Sequence, residues 1–180
     1  MKKYFVIHAL GRTSEDYWYK FIKLKAEENG YQCFVPTLPP IEEMSYASWA
    51  REFDRYKKYI DEDSIFIGHS TGAIFIIKYL MENKLKISKY ISVVGFNKEN
   101  TKSVNPLWDE INKSFFVEKL ENFKEFARER VSFYSPTDIY DFKLLDDFAT
   151  KIGAKKEIVQ KAGHFTKGYE EKFDEIVRYL

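Results

Sequence analysis

One stretch constrains this chain more than any other: Ile65-Phe66-Ile67-Gly68-His69-Ser70-Thr71-Gly72-Ala73-Ile74-Phe75-Ile76-Ile77. A β-branched apolar run stops at Gly68. After Gly72 a second apolar run begins that is long enough for a buried helix, so the segment reads as strand, sharp turn, helix. The turn carries Gly-x-Ser-x-Gly, the nucleophile-elbow pattern, whose tightness demands small residues two positions before and after the serine. Such a turn lifts Ser70 Oγ above the end of a sheet and aims the N–H groups of the following helix at it. The plainer reading is a glycine-rich turn with a capping serine.

The remaining chain supplies the context. Residues 4–8, 31–35, 64–68, 87–94, 130–135 and 157–160 read as short apolar strands. Helical spacing covers 16–29, a stretch capped by Ser45 or Ser48 that buries Trp49, Phe53, Tyr56 and Ile60, the elbow helix to about Asn83, 143–152 and 169–180. This βα alternation predicts an α/β fold, a doubly wound and mainly parallel six-stranded sheet with helices on both faces. One domain is expected over 1–180, with a short cap excursion around 95–125, where the pattern loosens into polar turns holding Pro106, Trp108, Phe115 and Phe116. If the first strand lies inside the sheet beside the third, the chain reverses between them. A crevice then opens above the strand ends, bordered by the loop after His8 and by Ser70.

Charge and cysteine content narrow the function classes. With 29 basic and 28 acidic residues interspersed, no global field recruits nucleic acid or an anionic membrane. The basic start Lys2-Lys3 is followed by too short an apolar segment for an export signal, and no run reaches bilayer length, so a cytoplasmic location is expected. The single Cys33 cannot form an internal disulfide, and in its apolar setting it reads as a buried, inert thiol.

A serine hydroxyl needs a base within hydrogen-bond reach and a third group to orient that base. The chain has three histidines. His69 adjoins Ser70 in a turn that sends neighbouring side chains apart, so it reads as packing under the elbow. His8 reads as the residue that fixes the loop Ala9-Leu10-Gly11. His164 lies in a loop after the sixth strand and is the candidate base, because the chain order serine, acid, histidine matches the hydrolase order. Asp138, just past the fifth strand, is the candidate acid, with Asp141 as the second choice; Asp146 and Asp147 read as surface charges. For the oxyanion, Thr71 N–H is one expected donor and Leu10 N–H the other, with Ala9 as its neighbour. Trp18, Trp108, Phe116 and Phe165 are candidate linings of an apolar substrate pocket.

These pieces also carry a likeness. Phe5-Val6-Ile7-His8, Tyr17-Trp18-Tyr19, Ser48-Trp49, Ile67-Gly68-His69-Ser70-Thr71-Gly72, Ser135-Pro136-Thr137-Asp138 and Ala162-Gly163-His164-Phe165 occur in that order. Over nearly its whole length the chain resembles the small single-domain α/β-hydrolases of the retinoblastoma-binding protein 9 and YdeN group. The resemblance implies a minimal α/β-hydrolase fold and a triad of Ser70, Asp138 and His164. Where that family often has glycine after the first-strand histidine, this chain has Ala9, which implies an oxyanion loop that is narrower or differently bent; Ile139 stands where relatives often have proline.

The expected activity is that of a carboxylesterase-like serine hydrolase, acting through an acyl-enzyme on an ester or activated amide of a small or medium acyl substrate. Amidase or aminopeptidase activity belongs to the same chemistry, and no metal or cofactor is expected. The second reading keeps the hydrolase shell for recognition of a protein partner, with little or no catalysis.

Overall fold

The computed structural model describes residues 2–99 and 105–180. Among them, six strands form one wholly parallel sheet: β1 (Lys3–Ile7), β2 (Gln32–Phe34), β3 (Ile65–His69), β4 (Ile87–Val93), β5 (Ala127–Tyr134) and β6 (Lys155–Ile158), in the spatial order β2-β1-β3-β4-β5-β6. The helices are α1 (Tyr19–Glu28), α2 (Tyr46–Phe53), α3 (Thr71–Glu82), α4 (Pro106–Lys113) and α5 (Phe142–Lys151), joined by short 3-10 turns. The sequence-expected α/β architecture is therefore present, and the reversal falls where the sequence places it, between β1 and β3.

The period of two along the strands sorts the core into two layers. Tyr4, Val6, Ile65 and Ile67 face Trp18, Tyr19 and Ile22 around α1, together with Phe165, Phe173 and Ile176. Phe5, Ile7 and Phe66 face the other way, onto Trp49 and Phe53 of α2 and onto Ile74, Phe75 and Ile77 of α3. Ser45 caps α2, its hydroxyl accepting from Ser48 N–H while Ser48 returns a bond to the Ser45 backbone.

Three expected helices differ from the sequence reading; the one expected to bury Tyr56 and Ile60 stops at Phe53 and runs on as a 3-10 turn at Asp54–Tyr59, which leaves both residues half-buried. The first starts at Tyr19 rather than near residue 16, because the Asp16 carboxylate accepts from Thr13 N–H and Thr13 Oγ1 and Tyr17 then takes a left-handed φ of 49°. The expected terminal helix over 169–180 is instead a series of turns ending in a 3-10 turn at Asp174–Tyr179. Phe173 and Ile176 are its buried residues, spaced three apart, which suits the tighter period of 3-10 geometry. Of the excursion over 95–125, residues 100–104 lie outside the described residues; the rest contains α4 and a 3-10 turn at Leu120–Glu125. Among the described residues no helix is long and apolar enough to cross a membrane.

Candidate active site

Ser70 occupies the turn between β3 and α3 with φ 54° and ψ −120°, a strained conformation for a residue with a side chain. The flanking glycines are a steric necessity. A Cβ on Gly68 would stand 2.6 Å from Ala73 Cα, and one on Gly72 would stand 2.5 Å from the carbonyl oxygens of Ile7 and His8. Close approach of α3 to the end of β1 thus brings the nucleophile candidate against the loop that follows the first strand.

That loop is held on both sides of Ala9. His8 Nδ1–H donates to Ala9 O at 2.8 Å, and His8 Nε2 accepts from Leu38 N–H at 2.9 Å, which fixes the neutral tautomer. Ala9 O also accepts from Arg12 N–H, and Ala9 N–H donates to the Tyr19 hydroxyl at 3.1 Å. In a trans peptide the N–H points opposite to the preceding C=O. Fixing Ala9 O therefore turns the Leu10 N–H the other way. Ala9 N–H is occupied, which removes it as an alternative donor. Alanine costs no backbone strain here, since Ala9 is not among the residues with positive φ. Thr71 N–H sits at the first position of α3, where a helix offers it no partner.

On the far side, His164 Nδ1–H donates to both carboxylate oxygens of Asp138, at 3.0 and 3.1 Å. The Asp138 side chain is fully buried, and its Oδ1 accepts a further bond from Tyr140 N–H at 2.8 Å. Gly163, with φ 55°, donates its N–H to Thr137 Oγ1 and so ties the base loop to the acid loop. The bond to Asp138 leaves His164 Nε2 as the acceptor. The second acid candidate, Asp141, caps α5 by accepting from Lys143 N–H. Asp146 is bonded by Tyr134 and Lys156, and Asp147 by Lys143.

Ser70, Thr71, Ala9, Leu10 and His164 line one cavity of about 240 Å³, together with Arg12, Tyr17, Trp108, Asn112, Ile139, Tyr140 and Thr166. Of the four aromatic residues expected to line it, one does: Trp108, which is 43% exposed. Trp18 and Phe165 are fully buried in the α1 layer, where Trp18 Nε1–H donates to Phe165 O at 3.2 Å, so the indole finds its partner inside the core rather than in the cavity. Phe116 packs edge-on against Phe96 and lies with Lys78 and Met81 in a separate groove.

Three contributors escaped the sequence reading. Tyr140 stacks on the His164 imidazole with ring centres 5.6 Å apart and planes at 17°, and its hydroxyl is a neighbour of Ser70 and Asn112. Burial pushes its phenol up, so it stays a proton donor. Asn112 is a buried polar residue whose Oδ1 accepts from Thr71 Oγ1 at 2.7 Å. Its signal in the sequence is the spacing of four from Trp108, which sets both on one face of α4. Tyr19 is the third, the hydroxyl that holds Ala9 N–H. Among the described residues, Ser70 Oγ makes no hydrogen bond to His164 in this resting geometry. The Cys33 thiol is buried and pushed up to about 12 by that burial, which leaves it unreactive.

A parallel sheet with an elbow serine above its switch point and an acid-paired histidine facing the same cavity defines an α/β-hydrolase. The chain belongs to the serine hydrolase family, whose model matches residues 4–179. Among solved structures it is similar to the ydeN gene product of B. subtilis, with a TM-score of 0.90 and 23% identity over 100% of this chain and 97% of that one. It is also similar to Est1E of Butyrivibrio proteoclasticus, solved with ferulic acid bound, at a TM-score of 0.70 and 13% identity over 99% of this chain and 86% of that one. The methylesterase MES16 from Arabidopsis matches at a TM-score of 0.71 and 13% identity over 100% of this chain and 97% of that one. Comparison with the curated proteins finds no match.

Proposed function

We propose that this serine hydrolase cleaves esters of small or medium acyl groups through an acyl-enzyme on Ser70, with His164 as general base and acid and Asp138 as its orienting carboxylate. The observation that carries this reading is the His164 to Asp138 pair: a fully buried carboxylate holds Nδ1–H and leaves Nε2 bare in the cavity that contains Ser70. In the reaction, a rotation about the Ser70 side chain carries Oγ from the Tyr140 hydroxyl toward Nε2, a closing of geometry common on substrate binding. Nε2 takes the Oγ proton as the Oγ–C bond forms, and the carbonyl oxygen gains negative charge facing Leu10 N–H and Thr71 N–H. The imidazolium then gives its proton to the leaving alkoxide. Water, deprotonated by the same nitrogen, attacks the acyl carbon; the acyl–Oγ bond breaks, the imidazolium returns its proton to Ser70 Oγ, and the acid leaves.

The cavity supports the substrate class. Its volume of about 240 Å³ suits a compact acyl group, and Leu10, Trp108 and Ile139 supply apolar wall. Esterase names among the structural neighbours, Est1E and the methylesterase, point the same way. The test is labelling by a fluorophosphonate probe together with hydrolysis of a series of p-nitrophenyl esters. Wild-type protein is expected to label and to hydrolyse short esters, and Ser70→Ala to do neither. A folded wild type that stays unlabelled, or a Ser70→Ala variant that labels equally, refutes the reading.

A further inference from the structure

Two residues of quoted motifs have no part in the proton transfers above: Tyr19 and His69. Both are fully buried. His69 Nε2 lies 2.9 Å from the backbone oxygen of His164, and its Nδ1 lies 2.7 Å from the Tyr19 hydroxyl. A carbonyl oxygen only accepts, so Nε2 carries the proton and Nδ1 accepts from Tyr19 O–H. The Tyr19 oxygen in turn accepts from Ala9 N–H at 3.1 Å. Each direction in the chain follows from the one before it: Ala9 N–H to Tyr19, Tyr19 O–H to His69, His69 N–H to His164 C=O. One end is the peptide that precedes the Leu10 donor, and the other is the backbone of the base.

We infer that Tyr19 and His69 are positioning residues, a buried hydrogen-bonded strut that sets the separation between the oxyanion loop at Ala9 and the base loop at His164. The strut passes directly beneath the elbow, because His69 is the residue before Ser70. The His69 and His164 rings also lie against one another, with centres 5.2 Å apart. Trp18 braces the same loop one residue further on, through its bond to Phe165 O. The first turn of α1 thereby reaches both halves of the site, although neither Trp18 nor Tyr19 lines the cavity.

This inference rests on the catalytic reading above, so its test has one readout that depends on activity and one that does not. Tyr19→Phe keeps the ring and removes only the hydroxyl. In that variant kcat for a p-nitrophenyl ester is expected to fall about tenfold, the equivalent of one displaced hydrogen bond, with KM changed by less than about twofold. Amide hydrogen exchange at Ala9 is expected to accelerate by about tenfold or more, since its acceptor is gone. His69→Gln and His69→Asn each preserve one bond of the strut, toward His164 and toward Tyr19 respectively. The loss in the Tyr19→Phe/His69→Gln double variant is expected to be smaller than the product of the single losses, as for members of one network. A Tyr19→Phe protein with wild-type thermal midpoint, wild-type kcat and unchanged Ala9 exchange overturns the strut. If the wild type neither labels nor hydrolyses, the catalytic reading fails, and Ala9 exchange alone decides whether the strut stands.

Discussion

Acid should unfold this protein earlier than its carboxylates alone would dictate. His8 and His69 are both buried and both held in the neutral form. Burial is the largest cause lowering each pKa; for His69 the nearby His164 and Arg12 lower it further, while its bond to the His164 backbone opposes them. The sign follows from proton linkage. An unfolded imidazole titrates near 6.5, so below that pH the unfolded chain binds protons that the native state refuses, and stability falls as pH falls. One unit below that value a histidine that refuses the proton altogether removes about 1.4 kcal/mol, so the pair costs at most about 3 kcal/mol near pH 5.5, with His69, the more strongly shifted, taking the larger share. Asp61, Asp146 and Glu157 have lowered pKa values, and their contribution is lost only below about pH 4.5, outside this window. Urea unfolding followed by fluorescence of the buried Trp18 and Trp49 is the assay. With a slope of about 2 kcal/mol per molar, the midpoint is expected to drop between pH 7.5 and 5.5, by up to about 1.5 M. In His69→Asn the pH-dependent part of the drop should shrink by half or more, because His69 is the more strongly shifted of the two. A midpoint that moves by less than about 0.3 M, or a His69→Asn protein with the wild-type acid dependence, refutes the assignment of two neutral buried histidines.

Asp138→Asn should leave the fold intact and lower kcat by about 10³ to 10⁴, because an amide no longer fixes the tautomer that frees Nε2; steady-state kinetics on a short ester with a circular dichroism control measures this. Gly72→Ala places a Cβ 2.5 Å from two backbone oxygens of β1 and its loop, and is expected to cost about 3 kcal/mol or more, read as a lowered thermal midpoint or insoluble expression. The two tryptophans expected to share a pocket should separate: Trp18→Ala loses about 3 to 5 kcal/mol of stability, whereas Trp108→Ala shifts KM among esters of different chain length with the thermal midpoint nearly unchanged.

Much of this architecture is legible in the residues because it rests on local signals. Six apolar runs with helical spacing between them predict the parallel sheet, and steric need at Gly68 and Gly72 predicts the elbow. The placing of Asp138 and His164 on loops at one sheet edge follows from the same alternation. What the residues conceal is direction. Trp18 and Phe165 read as pocket aromatics, yet a left-handed Tyr17 delays α1 and turns Trp18 inward to the Phe165 carbonyl. Asn112 and Tyr140 join the site through contacts 41 residues and 24 residues from their partners Thr71 and His164; helical spacing puts Asn112 on the Trp108 face of α4, but no periodicity reveals either partner. The terminal segment has amphipathic character enough for a helix, and the buried Phe173 and Ile176 impose a shorter period.

The adjacency of β1 and β3 has a consequence for how such a protein diversifies. The proposed nucleophile and oxyanion donors sit at the ends of two strands bonded directly to each other, register Ile7 to Gly68. Trp108 and Asn112 belong to α4, Ile139 to a loop and Arg12 to a turn, all outside the sheet. On the proposed mechanism the reacting atoms are thus carried by the hydrogen-bonded sheet and the cavity-facing side chains by helix and loops outside it. A lineage can exchange α4 or the loop at 139 to take a new acyl group while the distance from Ser70 to Leu10 stays fixed by the strand ladder beneath them.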